Sequence, residues 1–194
     1  MKKHFPKCFR VLVMMAGLAA GGRSIGAEPT AFDLAKEGNK HVGEDAKDRI
    51  VQIWSEKSVG TMTPNIWHVV YYDPDASLKA TEVIFAGGKK QRVTRPPRLL
   101  EPITRSHKQL DKSKLKIDSD RAIETAIKDP LLHNLKLTNT QLWLERSDDG
   151  PRWKVRLWAQ RVHDATRTAE IGQVYVSAED GKVLERDLHI NRAD

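Results

Sequence analysis

Residues 153–158 alternate, with Trp153, Val155 and Leu157 separated by Lys154, Arg156 and Trp158. Two-residue alternation marks a strand with one face in a core and the other open. Residues 66–72, Ile66-Trp67-His68-Val69-Val70-Tyr71-Tyr72, have the same look. Further strand-like runs flank both. Residues 81–85 turn at Gly87-Gly88 into 90–93, and 141–146 turn at Ser147-Asp148-Asp149-Gly150 into the Trp153 strand. Residues 170–177 turn at Glu179-Asp180-Gly181 into 182–188. Short Gly-containing connections between such runs predict antiparallel hairpins.

Two stretches carry a helical period instead. Ala31, Phe32, Leu34 and Ala35 share one face ahead of a Gly38-Asn39 stop. Ala122, Ile123, Ala126 and Ile127 share another, with Asp118 or Ser119 as cap and Asp129-Pro130 ending the helix near Lys128. Residues 43–54 fit both periods: Ala46, Ile50, Ile53 and Trp54 have helical spacing, while 51–56 also reads as a strand. An offset of 91 places Ala31, Phe32 and Ala35 on Ala122, Ile123 and Ala126, Ile53 on Leu144, and Phe85 on Val176. That internal match favours the strand and predicts an α+β chain in which one fold is written twice. Two units, each a helix followed by a four-stranded antiparallel sheet, are expected in tandem at 28–93 and 117–190. Residues 94–116, with Pro96, Pro97 and Pro102 and a basic second half, are expected to link them.

Residues 118–186 resemble a PepSY-type domain. The matching parts are Ser119-Asp120-Arg121-Ala122-Ile123, Trp153-Lys154-Val155-Arg156-Leu157, and the run from Val174 to Leu184 with its Gly181-Lys182-Val183-Leu184 turn. Ser177 departs from the pattern, which usually has Asp there. Residues 30–93 match only as a degenerate second copy. The resemblance implies a helix packed on an antiparallel sheet, an exported setting, and a protein-binding or peptidase-modulating role. It supplies no catalytic residues.

The N-terminus changes the reading of charge. Lys2, Lys3, Lys7 and Arg10 precede an apolar run from Val11 to Ala20, and small residues follow to Ala27. This is the layout of a secretory signal peptide, with cleavage expected in the region 24–27 and a periplasmic or secreted product. The apolar run is about half the ~20 residues a spanning helix needs. The whole chain has 33 basic and 26 acidic residues, a net of +7. A leader of residues 1–27 takes five of the basic residues and no acid, leaving 28 against 26, a net of +2. No nucleic-acid partner is therefore expected, since that requires clustered positive charge. The sole cysteine, Cys8, lies in the leader, so no disulfide or thiol chemistry is expected beyond it.

No motif reaches a catalytic claim, and neither a cofactor nor a metal site is expected. The seven His residues, at 4, 41, 68, 107, 133, 163 and 189, show no close pair. Asp73-Pro74-Asp75 lacks the later ligands of a calcium loop and is read as a solvated turn. His68 is read as a partly buried ring with a hydrogen-bond partner. The candidate binding face is the outward side of the Trp153 strand: Lys154, Arg156 and Trp158, joined by Arg146 and Arg186, with Arg152 and Arg161 nearby. Interleaved cations and an aromatic suit an acidic protein or an anionic polymer. Trp143 and Trp158 are alternatively contacts between the units, or within a dimer. The preferred function is an exported, non-enzymatic protein- or peptide-binding module. The alternatives are a hydrolase with an unrecognised active site and a structural envelope component that binds polyanions.

Overall fold

A computed structural model describes residues 28–76, 78–95 and 109–194. The expected leader lies outside the described residues, as do 96–108 of the expected linker. The chain forms helix α1 (Ala31–Gly38), strands β1 (Ile50–Ser55), β2 (Ile66–Tyr72), β3 (Ala80–Ala86) and β4 (Lys89–Thr94), helix α2 (Ser119–Ile127), and strands β5 (Leu137–Ser147), β6 (Gly150–Gln160), β7 (Thr168–Ser177) and β8 (Val183–Leu188). The ambiguous stretch is thus resolved as a short 3-10 turn at Glu44–Ala46 followed by a strand.

All eight strands lie in one antiparallel sheet, ordered β4-β3-β2-β1-β5-β6-β7-β8. This corrects the expectation of two separate helix-plus-four-strand units in tandem. β1 and β5 pair at Ile53↔Leu144 and Trp54↔Trp143, so the sheet is continuous through its centre. Ile53 and Leu144, matched by the offset of 91 as equivalent positions in different units, are direct neighbours. The physical reason is the cost of sheet edges: two separate meanders would leave the outer backbone groups of β1 and β5 unpaired. A single core cluster runs beneath both helices, from Ala31, Leu34 and Phe85 to Ala122, Leu157 and Val174.

The seam between β1 and β5 is short, and side chains extend it. Ser55 Oγ accepts from the Leu142 N–H at 2.9 Å, and Ser58 Oγ from the Thr140 N–H at 2.9 Å. The Ser58 N–H donates to the Thr140 carbonyl at 2.8 Å. Both serines are fully buried or nearly so, and they complete hydrogen bonds that strand pairing leaves open. Part of the expected linker packs against the sheet. Leu110 is buried and donates its N–H to Ile50, while the N–H groups of Lys116 and Ile117 share the Ala178 carbonyl.

The two helices are capped jointly. Thr30 and Asp33 form a capping box at α1. The Ala31 N–H also donates to Ser119 Oγ at 3.1 Å, and the Phe32 N–H to the Asp118 carboxylate at 3.2 Å, so the start of α2 caps α1 as well. Trp153 lies beneath this junction with no exposed surface. Its ring is 6.0 Å from Phe32 and 6.5 Å from Trp67, and its Nε1–H donates to the Ile117 carbonyl at 2.8 Å. The expected burial of the Trp153, Val155 and Leu157 face under the Ala122–Ile123 helix is thus observed. Asp73 departs from its reading as a solvated residue. It is buried, accepting from the Thr81 hydroxyl and from the Asp75 N–H at 3.0 Å. Those bonds hold its carboxyl below the usual carboxylate range, and their role is to fix the β2–β3 turn.

Candidate functional site: the helix-free face of the sheet

Alternation puts the even-numbered residues of β6 opposite the helices. Strand register then assembles a row that crosses the whole sheet. Arg92, Ile84, His68, Trp54, Trp143, Lys154, Tyr175 and Glu185 are successive cross-strand partners, one from each strand from β4 to β8. Three of them are aromatic and three are His, Lys or Arg. None of the contacts along the row is local in sequence at its centre, where Trp54 meets Trp143.

Around Trp143 the face is a lattice of cations and rings. Lys154 Nζ and the Arg156 guanidinium each lie 5.6 Å from the Trp143 ring centre. Arg156 is also 5.5 Å from Trp158, and Lys57 Nζ is 4.6 Å from Trp158. Arg152 sits 4.3 Å from Tyr175. Such cation–ring contacts hold long side chains flat against the sheet. Arg152 is paired with Glu145 at 2.9 Å, and Arg156 donates from Nε to Glu170 at 3.1 Å. Among the described residues, no carboxylate lies within ion-pairing distance of Lys154 or Lys57. Lys154 and Lys57 are thus cations without an ion-pair partner on a half that also carries Glu145, Glu170, Glu185 and Asp187.

The β1–β3 half is different. Val51, Val70 and Ala80 form a small second cluster covered by Trp54 and Tyr72, with Arg49 4.4 Å from the Tyr72 ring. The His68 imidazole stacks on Trp54 at 3.6 Å with an 11° tilt. Its Nδ1 is 2.9 Å from Glu82 Oε1, and Thr94 donates to the other oxygen of that carboxylate at 3.1 Å. Burial pushes the Glu82 carboxyl up, but the bonds from His68 and Thr94 and the nearby positive charge outweigh it and hold the group below its ordinary value. The hydrogen-bond partner expected for His68 is therefore Glu82. Nε2 is a different matter: it is buried without a partner, 3.7 Å from the Glu56 carboxylate.

Of the five residues predicted for a binding face, the structure brings Lys154, Arg156 and Trp158 together. It places the other two on the helix side. Arg146 shares the alternation of Leu142 and Leu144, and lines a cleft of about 310 Å³ with Asp111 and Lys114. Arg186 is the partner of inward-facing Val174 and binds Asp129, whose side chain is 1% exposed. Arg161 lies just past β6. Sequence reasoning missed the contributions of Trp54, His68 and Lys57, because the β1–β5 pairing that brings them beside Trp143 and Trp158 has no local signature.

Among the described residues, no group of three or more His, Cys, Asp or Glu is placed to hold a metal ion. No helix there is long and apolar enough to cross a membrane. Comparison with family models, curated proteins and solved structures gave no match.

Proposed function

We propose that this protein is an exported, non-catalytic binding module whose helix-free sheet face holds a segment of a protein partner. The carrying observation is the lattice of Trp143, Trp158, Lys154 and Arg156, in which rings offer flat apolar contact and two nearby lysines lack an acid partner. Aromatic anchors beside cations are the composition of recognition surfaces, and the two unpaired lysines select a partner with carboxylates. The charged leader supports export, and the resemblance of residues 118–186 to a PepSY-type domain supports a protein-binding role.

Capture of envelope proteins by the immobilised chain tests this reading. A partner retained by the native protein and lost by both Trp143→Ala and Lys154→Glu, with their unfolding midpoints unchanged, is the expected result. Equal capture by both variants removes the face from consideration.

A further inference from the structure

Each half of the face holds one charged group with no Lys, Arg, Asp or Glu ion-pair partner among the described residues: Glu56 beside His68, and Lys154 beside Trp143. At β1–β2, Nε2 of His68 is buried, unpartnered and directed at Glu56 Oε1, 3.7 Å away. A ring that donates from Nδ1 to Glu82 presents a lone pair at Nε2 when neutral. In that neutral form two acceptors, Nε2 and Glu56 Oε1, face each other at 3.7 Å. Glu56 is half exposed, so it can swing aside to admit a group from solvent. An N–H donor between these atoms satisfies both, and a positively charged one also meets the Glu56 and Glu82 carboxylates and the adjoining Trp54 ring. Arg92, across β3 from His68, and Thr94, bonded to Glu82, are the other polar groups facing this corner.

From His68 the row runs through Trp54 and Trp143 to Lys154. That is three strand spacings of ~4.8 Å, about 14 Å, which an extended chain rising ~3.3 Å per residue covers in about four residues. Residues i, i+2 and i+4 of an extended segment point the same way. Resting on the binding role of this face, we propose that its partner is an extended zwitterionic segment lying along the row. It places a lysine or arginine at Glu56 and His68, an apolar side chain over Trp54 and Trp143, and a carboxylate on Lys154. The spacing is basic-x-apolar-x-acidic, read in either direction along the peptide.

Three blocked peptides test this by isothermal titration against the full chain: Lys-Ala-Leu-Ala-Glu, Glu-Ala-Leu-Ala-Glu, and Lys-Glu-Leu-Ala-Ala. The first is expected to bind at least about tenfold more tightly than the other two, the increment of one well-placed ion pair. Glu56→Gln is expected to remove its advantage over the di-acidic peptide, and Lys154→Gln its advantage over the close-spaced one. Equal binding of the di-acidic peptide overturns the zwitterionic partner and leaves the binding role of the face standing. Absence of binding by any peptide, with partner capture still lost in Trp143→Ala, has the same meaning. Absence of binding together with unaltered capture overturns both.

Discussion

Trp54 and Trp143 stand opposite each other across the centre of the sheet, on the face away from the helices, while the adjoining pair Ile53 and Leu144 faces the core. One short seam therefore closes the core on one side and assembles the row of rings and cations on the other. Closure of the core and the arrangement of the helix-free face are both tied to the same few hydrogen bonds.

Ser55→Ala tests the seam. It leaves the buried Leu142 N–H without its acceptor, and an unsatisfied buried donor costs about 1–3 kcal/mol. Urea unfolding should show that loss, and amide exchange should accelerate at Leu142 before it does at Val155 in the middle of β6. Uniform acceleration would mean that the seam has no separate opening mode.

Trp153 is fully buried between Phe32 of α1 and the Ile117 carbonyl just ahead of α2. Trp153→Ala should cost about 3–5 kcal/mol, the range for truncating a buried aromatic. Trp153→Phe keeps most of the contact with Phe32 and Trp67 but leaves the Ile117 carbonyl without its donor, and should cost about 1–3 kcal/mol. Denaturant midpoints at constant slope give both values.

Gly172 has φ +113, and a Cβ there would lie 2.0 Å from the Asp187 carbonyl oxygen of β8. Gly172→Ala therefore forces β8 off β7 and should cost at least about 2 kcal/mol. Exchange protection is expected to fall first at β7–β8 amides. Protection lost equally from β2 and β3 would contradict a local effect.

Two carboxyls give opposite pH signatures. Burial raises Asp118 above its ordinary 3.8, despite the opposing bonds it accepts. Its stabilising contribution is full below pH 3.8 and declines as pH rises through its higher folded value. Glu82 is held below its ordinary 4.5, so its contribution is present above 4.5 and is lost as pH falls through the lower folded value. Relative to the native protein, Asp118→Asn should gain stability as pH rises from 3.8, and Glu82→Gln should gain it as pH falls from 4.5. Unfolding free energies measured from pH 3 to 7 check both slopes.

Much of the local structure was legible because short-range physics writes it. The alternation of residues 153–158, the Gly87-Gly88 and Asp149-Gly150 turns and the Ala122–Ile123 helix face each depend on neighbours within a few positions. The candidate site was legible only along one strand: Lys154, Arg156 and Trp158 share a face because they alternate. Arg186 went to the other side because the register of β8 is set by a bulge opposite Tyr175 and Val176, and the Val-Leu-Glu-Arg-Asp-Leu run itself does not choose a face. Its partner Asp129 is 57 residues away.

By itself, then, the sequence determined which residues become strands and helices and which side of β6 enters the core. Only the tertiary structure decided that β1 and β5 join, because backbone edges attract each other whatever side chains they carry. That pairing turned two expected sheets into one, set Trp54 beside Trp143, and placed the unpartnered His68 nitrogen on the same row as Lys154.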